Sequence, residues 1–253
     1  MGQGLILYMK RQMKMKKNKK QNFIGILILI MIAMVVFVIG FLGKSRQKTT
    51  GFDETILKSE DASVQIDLGE EMSISLGSEV FVTGIHPYIG GYIEDGSDEF
   101  VENIMMISLE NKGGKNIQLA TVTLNDSYIF EVTTLLPGEK MLVLEKNKAE
   151  YDENFALESA VISNVAFFDE RPFVDENILE IKGEDNMIAV TNISGEDFAG
   201  GKVFYKNVLG DYYLGGITYS GSIPAMENGE TVKLSAKHYL EDSSEIVFMT
   251  YAN

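Results

Sequence analysis

The residues with the clearest capacity for chemistry are the carboxylates of the stretch EDGSDE, residues 94–99. Asp95, Asp98 and Glu99 surround a glycine, and calcium takes oxygen ligands from turns of this kind. The stretch does not follow the D-x-[DN]-x-[DN]-G spacing of the calcium-binding helix-loop-helix, and acidic runs are commonly solvated loops. We therefore treat these three residues as weak metal candidates and predict no cofactor.

Histidine catalysis is not expected from this sequence. The chain has two histidines, and the pattern places His86 in a loop and His238 at the end of a strand. A hydrolytic triad needs a histidine that faces a serine and a carboxylate, and the G-x-S-x-G nucleophile turn does not occur in the sequence. We predict no catalytic residues and expect that the protein is not an enzyme.

Paired carboxylates leave one enzymatic alternative open. Among 37 acidic residues some pair will lie close together, so an envelope hydrolase acting through two carboxylates stays an alternative. The chain has no tryptophan, and Tyr212 and Tyr213 are the candidates for exposed aromatic rings that could stack on a sugar. Their pattern favours an ordinary hairpin with one ring buried.

The charges are distributed unevenly along the chain. Residues 1–43 contain seven basic and no acidic side chains, whereas residues 44–253 contain 15 basic and 37 acidic ones, a net charge of −22. Phosphate binding needs clustered Lys and Arg, so we expect no nucleic-acid partner. The chain has no cysteine, and hydrophobic packing alone must therefore hold the fold. This composition is typical of extracytoplasmic proteins of many Gram-positive bacteria.

Residues 23–43 predict a transmembrane helix. These 21 residues carry no charge and no proline, and as a helix they would extend about 32 Å, enough to cross a hydrocarbon core of about 30 Å. The segment is longer than the apolar part of a signal peptide and no small-x-small cleavage site follows it. The basic tail, residues 1–22, is expected in the cytoplasm, with the body outside the plasma membrane of a single-pass protein.

The remainder of the chain predicts a mostly β fold. Residues 44–61 are polar and predict a stalk, and alternation of apolar and polar residues begins at residue 62. We predict two tandem immunoglobulin-like β-sandwich domains, 62–169 and 174–253. The later strands are expected at 103–110, 117–125, 128–135, 139–145, 158–168, 177–183, 186–192, 201–208, 211–219, 230–238 and 244–251.

The two predicted domains share a repeated pattern. Asn111-x-x-Gly114 recurs as Asn192-x-x-Gly195, and PGEKMLVL, residues 137–144, recurs as NGETVKLS, residues 228–235. Each Asn-x-x-Gly predicts a hairpin turn, since both residue types tolerate positive φ. The asparagine and the following Gly-Glu are ten residues further apart in the second copy, and we place these extra residues in GDYYLGGITYSG, residues 210–221. The pattern favours an internal duplication.

The second copy resembles the FxLYD-type domain, an immunoglobulin-like sandwich of extracytoplasmic proteins of bacteria and archaea. The resemblance lies in Val190-x-Asn192, in Phe204-Tyr205-Lys206 and in Asn228-Gly229-Glu230, and it covers about 75 residues, mainly within 177–253. Lys206 replaces an acidic residue of the family pattern, and the run GDYYLGGITYS also departs from it. The resemblance implies a fold and an extracytoplasmic location and no particular activity.

These features together predict a membrane-anchored cell-envelope protein that presents β-sandwich domains for protein interaction or surface assembly. The predicted partners are the membrane, through residues 23–43, and an envelope protein whose identity the sequence does not give. The alternatives are the carboxylate-dependent hydrolase and a calcium-dependent adhesin or sensor that uses the acidic loops.

Overall fold

A computed structural model describes residues 72–252 and the backbone of two short strands that precede them, at 56–58 and 65–67. The described residues are mostly β, and no helix occurs among them. The predicted basic tail, the predicted span at 23–43 and most of the predicted stalk lie outside these residues. Within the described part of the chain, no helix has the length and apolar character needed to cross a membrane.

The strands are numbered in chain order. They are β1 (Ile56–Lys58), β2 (Gln65–Asp67), β3 (Ile74–Gly77), β4 (Val80–Tyr92), β5 (Glu99–Asn111), β6 (Ile117–Leu124), β7 (Tyr128–Leu135), β8 (Lys140–Leu144), β9 (Ala160–Phe167), β10 (Leu179–Glu184), β11 (Met187–Asn192), β12 (Gly201–Leu209), β13 (Tyr212–Ile223), β14 (Thr231–Ser235) and β15 (Ser244–Tyr251).

The eleven strands predicted between residues 103 and 251 are confirmed, with most ends displaced by a few residues. The prediction that His86 lies in a loop is wrong, because His86 is a buried residue of β4. The glycines and the proline around it are residue types that are common in loops, which is why the sequence predicted one. The strand accommodates this stretch through two bulges, one between Val82 and Gly84 and one between Tyr88 and Gly90.

Three sheets contain all of the described strands. The largest has nine strands in the order β1-β2-β4-β5-β8-β13-β12-β15, with β3 also paired to β4. The two smaller sheets have the orders β7-β6-β9 and β10-β11-β14. This arrangement of several packed sheets is consistent with a β-sandwich architecture.

The same strand arrangement occurs twice. We call residues 72–167 the N-terminal half and residues 179–251 the C-terminal half. In the N-terminal half the strands pair as β4-β5-β8 and β7-β6-β9, and in the C-terminal half they pair as β10-β11-β14 and β13-β12-β15. The second set repeats the first with every strand number raised by six. The topology thus repeats along with the sequence pattern, and the division into separately folding domains stays a prediction.

A buried asparagine occupies the same place in each half. Asn111 Nδ2 donates to the carbonyls of Lys115 and Leu135, and its Oδ1 accepts the Gly113 N–H. Asn192 Nδ2 donates to the carbonyls of Glu196 and Glu227, and its Oδ1 accepts the Ser194 N–H. Each asparagine also accepts, through its own carbonyl, the N–H of the glycine of the later Gly-Glu pair.

The prediction that each Asn-x-x-Gly forms a hairpin turn is wrong. The strands on either side, β5 and β6 in one half and β11 and β12 in the other, belong to different sheets. The segment between them is therefore a corner that carries the chain from one sheet to the next. The asparagine side chain satisfies the backbone groups that such a corner cannot pair within a ladder.

The structure brackets the ten extra residues of the second copy between Glu196 and Gly229, a range that includes the predicted position, residues 210–221. Before the extra residues, equivalent positions of the two copies are 81 residues apart: Asn111 donates to the carbonyl of Lys115, and Asn192 donates to the carbonyl of Glu196. After the extra residues, equivalent positions are 91 residues apart: the Gly138 N–H donates to the Asn111 carbonyl, and the Gly229 N–H donates to the Asn192 carbonyl. Between them β13 has twelve residues, whereas β7 has eight.

Each half has its own buried core. The first surrounds Met105, Ile107, Phe130 and Val143, and the second surrounds Val190, Val203 and Tyr205. A third cluster contains Tyr88, Met106, Leu142 and Leu144. Since alternate residues of a strand face opposite sides of a sheet, β5 and β8 contribute to two clusters on opposite faces of the nine-stranded sheet.

We expect that Asn111→Ala and Asn192→Ala each lower the free energy of unfolding by about 2 kcal/mol or more, because each leaves buried carbonyl oxygens without a donor. Urea denaturation of the full chain measures this change. Asn154→Ala, at an exposed position, is the matched control and should change stability by less than about 0.5 kcal/mol. Equal effects of the three substitutions would contradict the role assigned to the buried amides.

Candidate functional site at the seam between the two halves

The two halves meet at a seam where β8 pairs in parallel with β13. The backbone pairing covers two residue pairs, Met141 with Tyr213 and Leu142 with Leu214. In the same register, Leu144 would lie opposite Gly216, but there the ladder is no longer continuous. This short ladder is what joins the strands of the two halves into one nine-stranded sheet.

Glu94 bridges the strands where the ladder ends. Its Oε1 accepts the N–H of Leu144 on β8 and the N–H of Gly216 on β13, both at 2.9 Å. Its Oε2 lies 3.0 Å from the same Gly216 nitrogen. The Leu144 and Gly216 amides have no backbone acceptor where the ladder ends, and the Glu94 carboxylate supplies one for both. Because the two amides belong to different halves, the carboxylate connects the halves.

The extra residues of the second copy form the C-terminal side of this seam. Between the pairs Tyr205–Tyr219 and Asn207–Leu214, β12 has one residue and β13 has four. These four residues, 215–218, bulge towards the N-terminal half. There Thr133 Oγ1 donates to the Gly216 carbonyl at 2.9 Å, and Thr218 Oγ1 donates to the Thr133 carbonyl at 3.1 Å.

Two consecutive glycines permit this approach. Gly215 has φ of +92°, a conformation that residues with a side chain rarely adopt. A Cβ on Gly216 would overlap the carbonyl oxygen of Glu131 on β7 and crowd Val143 on β8. The seam therefore requires glycine at residue 216, because the backbone of β13 lies directly against the N-terminal half.

Lys206 is the residue of β12 that has no partner on β13 opposite this bulge, although it pairs with Glu245 of β15, and it is completely buried. Its Nζ donates to the carbonyl of Ile217 at 3.1 Å and lies 5.8 Å from the centroid of the Tyr213 ring. Bulges commonly redirect a side chain, and here the redirected side chain is a lysine that reaches the seam. No carboxylate of residues 72–252 lies within 4 Å of its Nζ.

Burial changes the proton affinity of both charged groups. Burial raises the pKa of Glu94 to about 7, although the N–H groups of Gly216 and Leu144 and the charge of Lys206 oppose the shift. Burial lowers the pKa of Lys206 to about 7, although Glu94 and Glu139 oppose it. Burial also raises the pKa of Glu139. Near neutral pH the seam therefore contains a half-buried carboxyl group and a completely buried lysine that are each close to changing charge.

Two clefts open beside the seam. The first, of about 290 Å³, is lined by Glu94, Tyr92, Glu131 and two lysines, Lys146 and Lys148. Lys146 Nζ lies 2.6 Å from Glu131, and Lys148 Nζ lies 4.5 Å from the Tyr92 ring centroid and pairs with a carboxylate of the 94–99 loop. The lysines that line this cleft already have anionic partners.

The second cleft, of about 390 Å³, contains the aromatic candidates Tyr212 and Tyr213. Both rings are half-buried in the β12–β13 hairpin, which confirms the hairpin but not the expectation of one buried ring. Lys140 lies over the ring of Tyr212 and Lys206 over the ring of Tyr213. Lys140 therefore approaches one face of the Tyr212 ring, whereas Lys206, which is completely buried, approaches the Tyr213 ring from within the fold.

The three weak metal candidates face cationic side chains; Asp95 and Asp98 lie on the loop between β4 and β5, and Glu99 is the first residue of β5. Glu99 and Asp95 both approach Lys148, while Asp98 lies 2.9 Å from Lys237 and 3.3 Å from His238 Nδ1. Across residues 72–252, no three His, Asp or Glu side chains are grouped so that they could hold a metal ion. The pairs of Asp98 instead connect the loop to the C-terminal half.

The two histidines have different surroundings. The prediction that His238 ends a strand is wrong, because β14 ends at Ser235 and His238 lies in the turn that follows. Its ring stacks on Tyr219, with the ring centroids 4.5 Å apart. His86 Nε2 lies 3.2 Å from Ser108 Oγ, a neighbour that the sequence did not indicate. Both His86 and Ser108 are almost fully buried, and a Cβ on Gly84 would overlap the imidazole. This pair is enclosed in the strand packing and presents no face to a substrate.

Only part of the seam is visible in the sequence, as two departures from the FxLYD-type pattern whose role the sequence does not show. Lys206 and the run from 210 to 220 are the two places where the second copy differs from the FxLYD-type pattern, and the structure places both at the seam. In the sequence, Glu94 is recognisable only as part of the acidic stretch at residues 94–99. Comparison with known proteins finds no matching family model, curated protein or solved structure.

Gly216→Ala should destabilise the protein by at least about 2 kcal/mol, because the added methyl group must displace either β7 or β13. Urea denaturation of the full chain measures the change. Gly114→Ala is the matched control, since a Cβ there meets no atom within 4 Å. If the two variants were equally stable, the close approach of β13 to β7 would be incorrect.

Lys206→Met should remove a pH dependence from the stability of the protein. Because the pKa of Lys206 is about 7 in the fold and 10.5 in the unfolded chain, the unfolded state binds more protons between pH 7 and pH 10. The wild-type free energy of unfolding should therefore rise in this range relative to the variant, by at most about 1.4 kcal/mol per pH unit.

Denaturation series at pH 7, 8.5 and 10 test this expectation. Lys202→Met, at an exposed position of the same strand, should keep the wild-type slope. If the free energies of unfolding of the wild type and Lys206→Met changed in parallel with pH, the lowered pKa of Lys206 in the fold would be contradicted.

Proposed function

We propose that the chain is a membrane-anchored cell-envelope protein whose two β-sandwich halves form one stiff unit for contact with another envelope protein. The observation that carries this proposal is the seam. An ordinary flexible linker would let two tandem domains move independently, whereas here a shared sheet, the Glu94 bridge and two threonine hydrogen bonds join them.

The strand order supports an immunoglobulin-like assignment for each half. In an immunoglobulin-type sandwich, strands A, B and E form one sheet, and C′, C and F belong to the other. The orders β4-β5-β8 and β7-β6-β9 correspond to these two sheets without a final G strand, and the C-terminal half has the same correspondence. The FxLYD-type resemblance favours the same assignment and an extracytoplasmic location.

Exposed aromatic side chains give this unit surfaces suited to protein contact. Phe173 is 62% exposed and belongs to the chain segment that connects the two halves. Phe100 is 58% exposed at the start of β5. Large aromatic residues are enriched in protein interfaces, where their burial supplies much of the binding energy. The net charge of −22 on residues 44–253 favours a partner with a basic contact surface.

The proposed orientation is tested with a tag fused after Asn253 and a second tag fused before Met1. Protease added to intact, wall-stripped cells should remove the C-terminal tag and leave the N-terminal tag, because the basic flank retains the N-terminus in the cytoplasm. Detergent lysis, as the control, should expose both tags. Protection of the C-terminal tag in intact cells would contradict the proposal.

The proposed interaction is tested by placing a photo-crosslinking residue at position 173 of the full chain in cells. Discrete protein adducts should form at position 173 and disappear when Asn154, an exposed position without an aromatic ring, carries the crosslinker instead. A charged substitution, Phe173→Asp, should reduce recovery of the same partner at least about tenfold if the ring contributes about 1.4 kcal/mol or more. Adducts that do not differ between positions would contradict a specific surface at Phe173.

A further inference from the structure

One face of the β7-β6-β9 sheet is exposed and nearly free of charge. Alternate residues of β6, such as Val122, belong to the buried core, so Thr121 and Thr123 point to the opposite side. Thr123 pairs there with Val161 of β9 and with Ile129 of β7. β6 and β9 contain no charged side chain, although residues 44–253 carry a net charge of −22. We call this side of the sheet the outer face, formed by Leu119, Thr121, Thr123, Ile129, Val161 and Ser163.

The repeat identifies the equivalent face of the C-terminal half. Thr123 of β6 pairs with Val161 of β9, and 81 residues after Thr123, Phe204 of β12 pairs with Phe248 of β15. Phe248 therefore takes the place of Val161. The rings of Phe204 and Phe248 stack on each other, with centroids 4.2 Å apart.

In the C-terminal half this face is covered by the chain itself. The ring of Phe168, in the segment that connects the two halves, packs edge-on against Phe248, with centroids 5.5 Å apart. Further along the same segment, the carbonyl of Phe173 accepts the N–H of Met249, on the edge strand β15, at 3.2 Å. Phe248 is 4% exposed, whereas Val161 is 52% exposed. The cover thus consists of a segment that runs along the edge strand and supplies a ring and a backbone acceptor.

The N-terminal half has the same edge without this cover. β9 is the last strand of its sheet, and none of the described strands pairs with its free edge. β3 lies near β9 but pairs with β4. Ile162 takes the place of Met249 in the pairing, so its N–H faces the free edge as the Met249 N–H does. An amide donor is therefore available beside Val161.

The size of the outer face decides what can cover it. Three strands of eight residues, spaced about 4.8 Å apart, present a flat area of roughly 400 Å². A stable protein–protein interface buries about 800 Å² on each partner, so this face is too small for a second globular copy of the chain. It matches a single segment, like the one that covers its counterpart. Glu131, the charged residue of β7, already pairs with Lys146, which favours an apolar segment over a basic one.

We propose that the outer face binds an extended segment of a partner protein, which places an aromatic ring on Val161 and Thr123 and accepts the Ile162 N–H with a backbone carbonyl. In recognition at a sheet edge, backbone hydrogen bonds supply affinity and side-chain contacts supply specificity. An aromatic ring packs favourably on β-branched side chains of a sheet. The bulge at Asn164, which has φ of +51°, ends the regular edge, so the segment pairs beside residues 160–163.

This inference rests on the proposed function only in that the chain contacts another protein. Phe173 lies on the connecting segment, whereas the outer face lies on β6, β7 and β9. Binding of a peptide to the purified chain depends neither on the envelope location nor on a partner at Phe173. Either proposal can therefore fail while the other holds.

The test is an NMR titration of the full chain, held in detergent, with a peptide of residues 166–175, AFFDERPFVD, which is the chain's own cover for the equivalent face. At about 1 mM peptide, which detects dissociation constants in the millimolar range, the amide signals of Thr123, Val161 and Ile162 should shift. The same peptide with Phe168→Ala should bind at least about tenfold more weakly, because it lacks the ring. This comparison leaves the protein unchanged and does not depend on the folding of a variant.

A matched pair of protein variants locates the site. Val161→Glu should weaken binding of the unmodified peptide at least about tenfold, because it places a charge where the ring packs. Leu240→Glu, at an exposed apolar position of the C-terminal half, should bind the peptide like the wild type. The proposal is overturned if no signals shift, if the shifts occur on β15 instead of β9, or if both peptides bind equally.

Discussion

The arrangement of this protein depends on a carboxylate that completes a sheet. β8 and β13 pair through two residues and then separate, and without a further acceptor the next amides on each strand would be buried without a partner. Glu94 supplies that acceptor from a loop of the N-terminal half. The seam consequently rests on a half-buried carboxylate that has lost part of its hydration, and the neighbouring Lys206 adds a completely buried amino group.

The seam explains why the two copies of the repeat are not equal. Both halves use the same strand order and the same buried asparagine, Asn111 or Asn192, to hold the corner between sheets. The second copy differs in the bulge at residues 215–218, which reaches the N-terminal half. Duplication can supply two similar sandwiches, and in this protein the residues added to the second copy contact the first copy beside the β8–β13 pairing.

The strands and the repeat could be predicted from sequence because they rest on local patterns. Alternation marked β5 to β15, and the echo of Asn111 in Asn192 located the extra residues. The seam could not be predicted in this way, since Glu94 and Gly216 lie 122 residues apart and meet only through the tertiary fold. A lysine inside an apolar strand at residue 206 was the one local sign of an unusual environment, and its partner was not recognisable.

The most direct measurement of the central claim is amide hydrogen exchange at the seam in the full chain. The N–H groups of Leu144 and Gly216 donate to the Glu94 carboxylate and not to a neighbouring strand. Slow exchange of both amides therefore reports the Glu94 bridge itself. We predict that both exchange as slowly as the paired amides of β5 and β12, and that Glu94→Ala accelerates both together. Exchange at Leu144 and Gly216 as fast as in the linker at residues 168–176 would contradict the joined arrangement of the two halves.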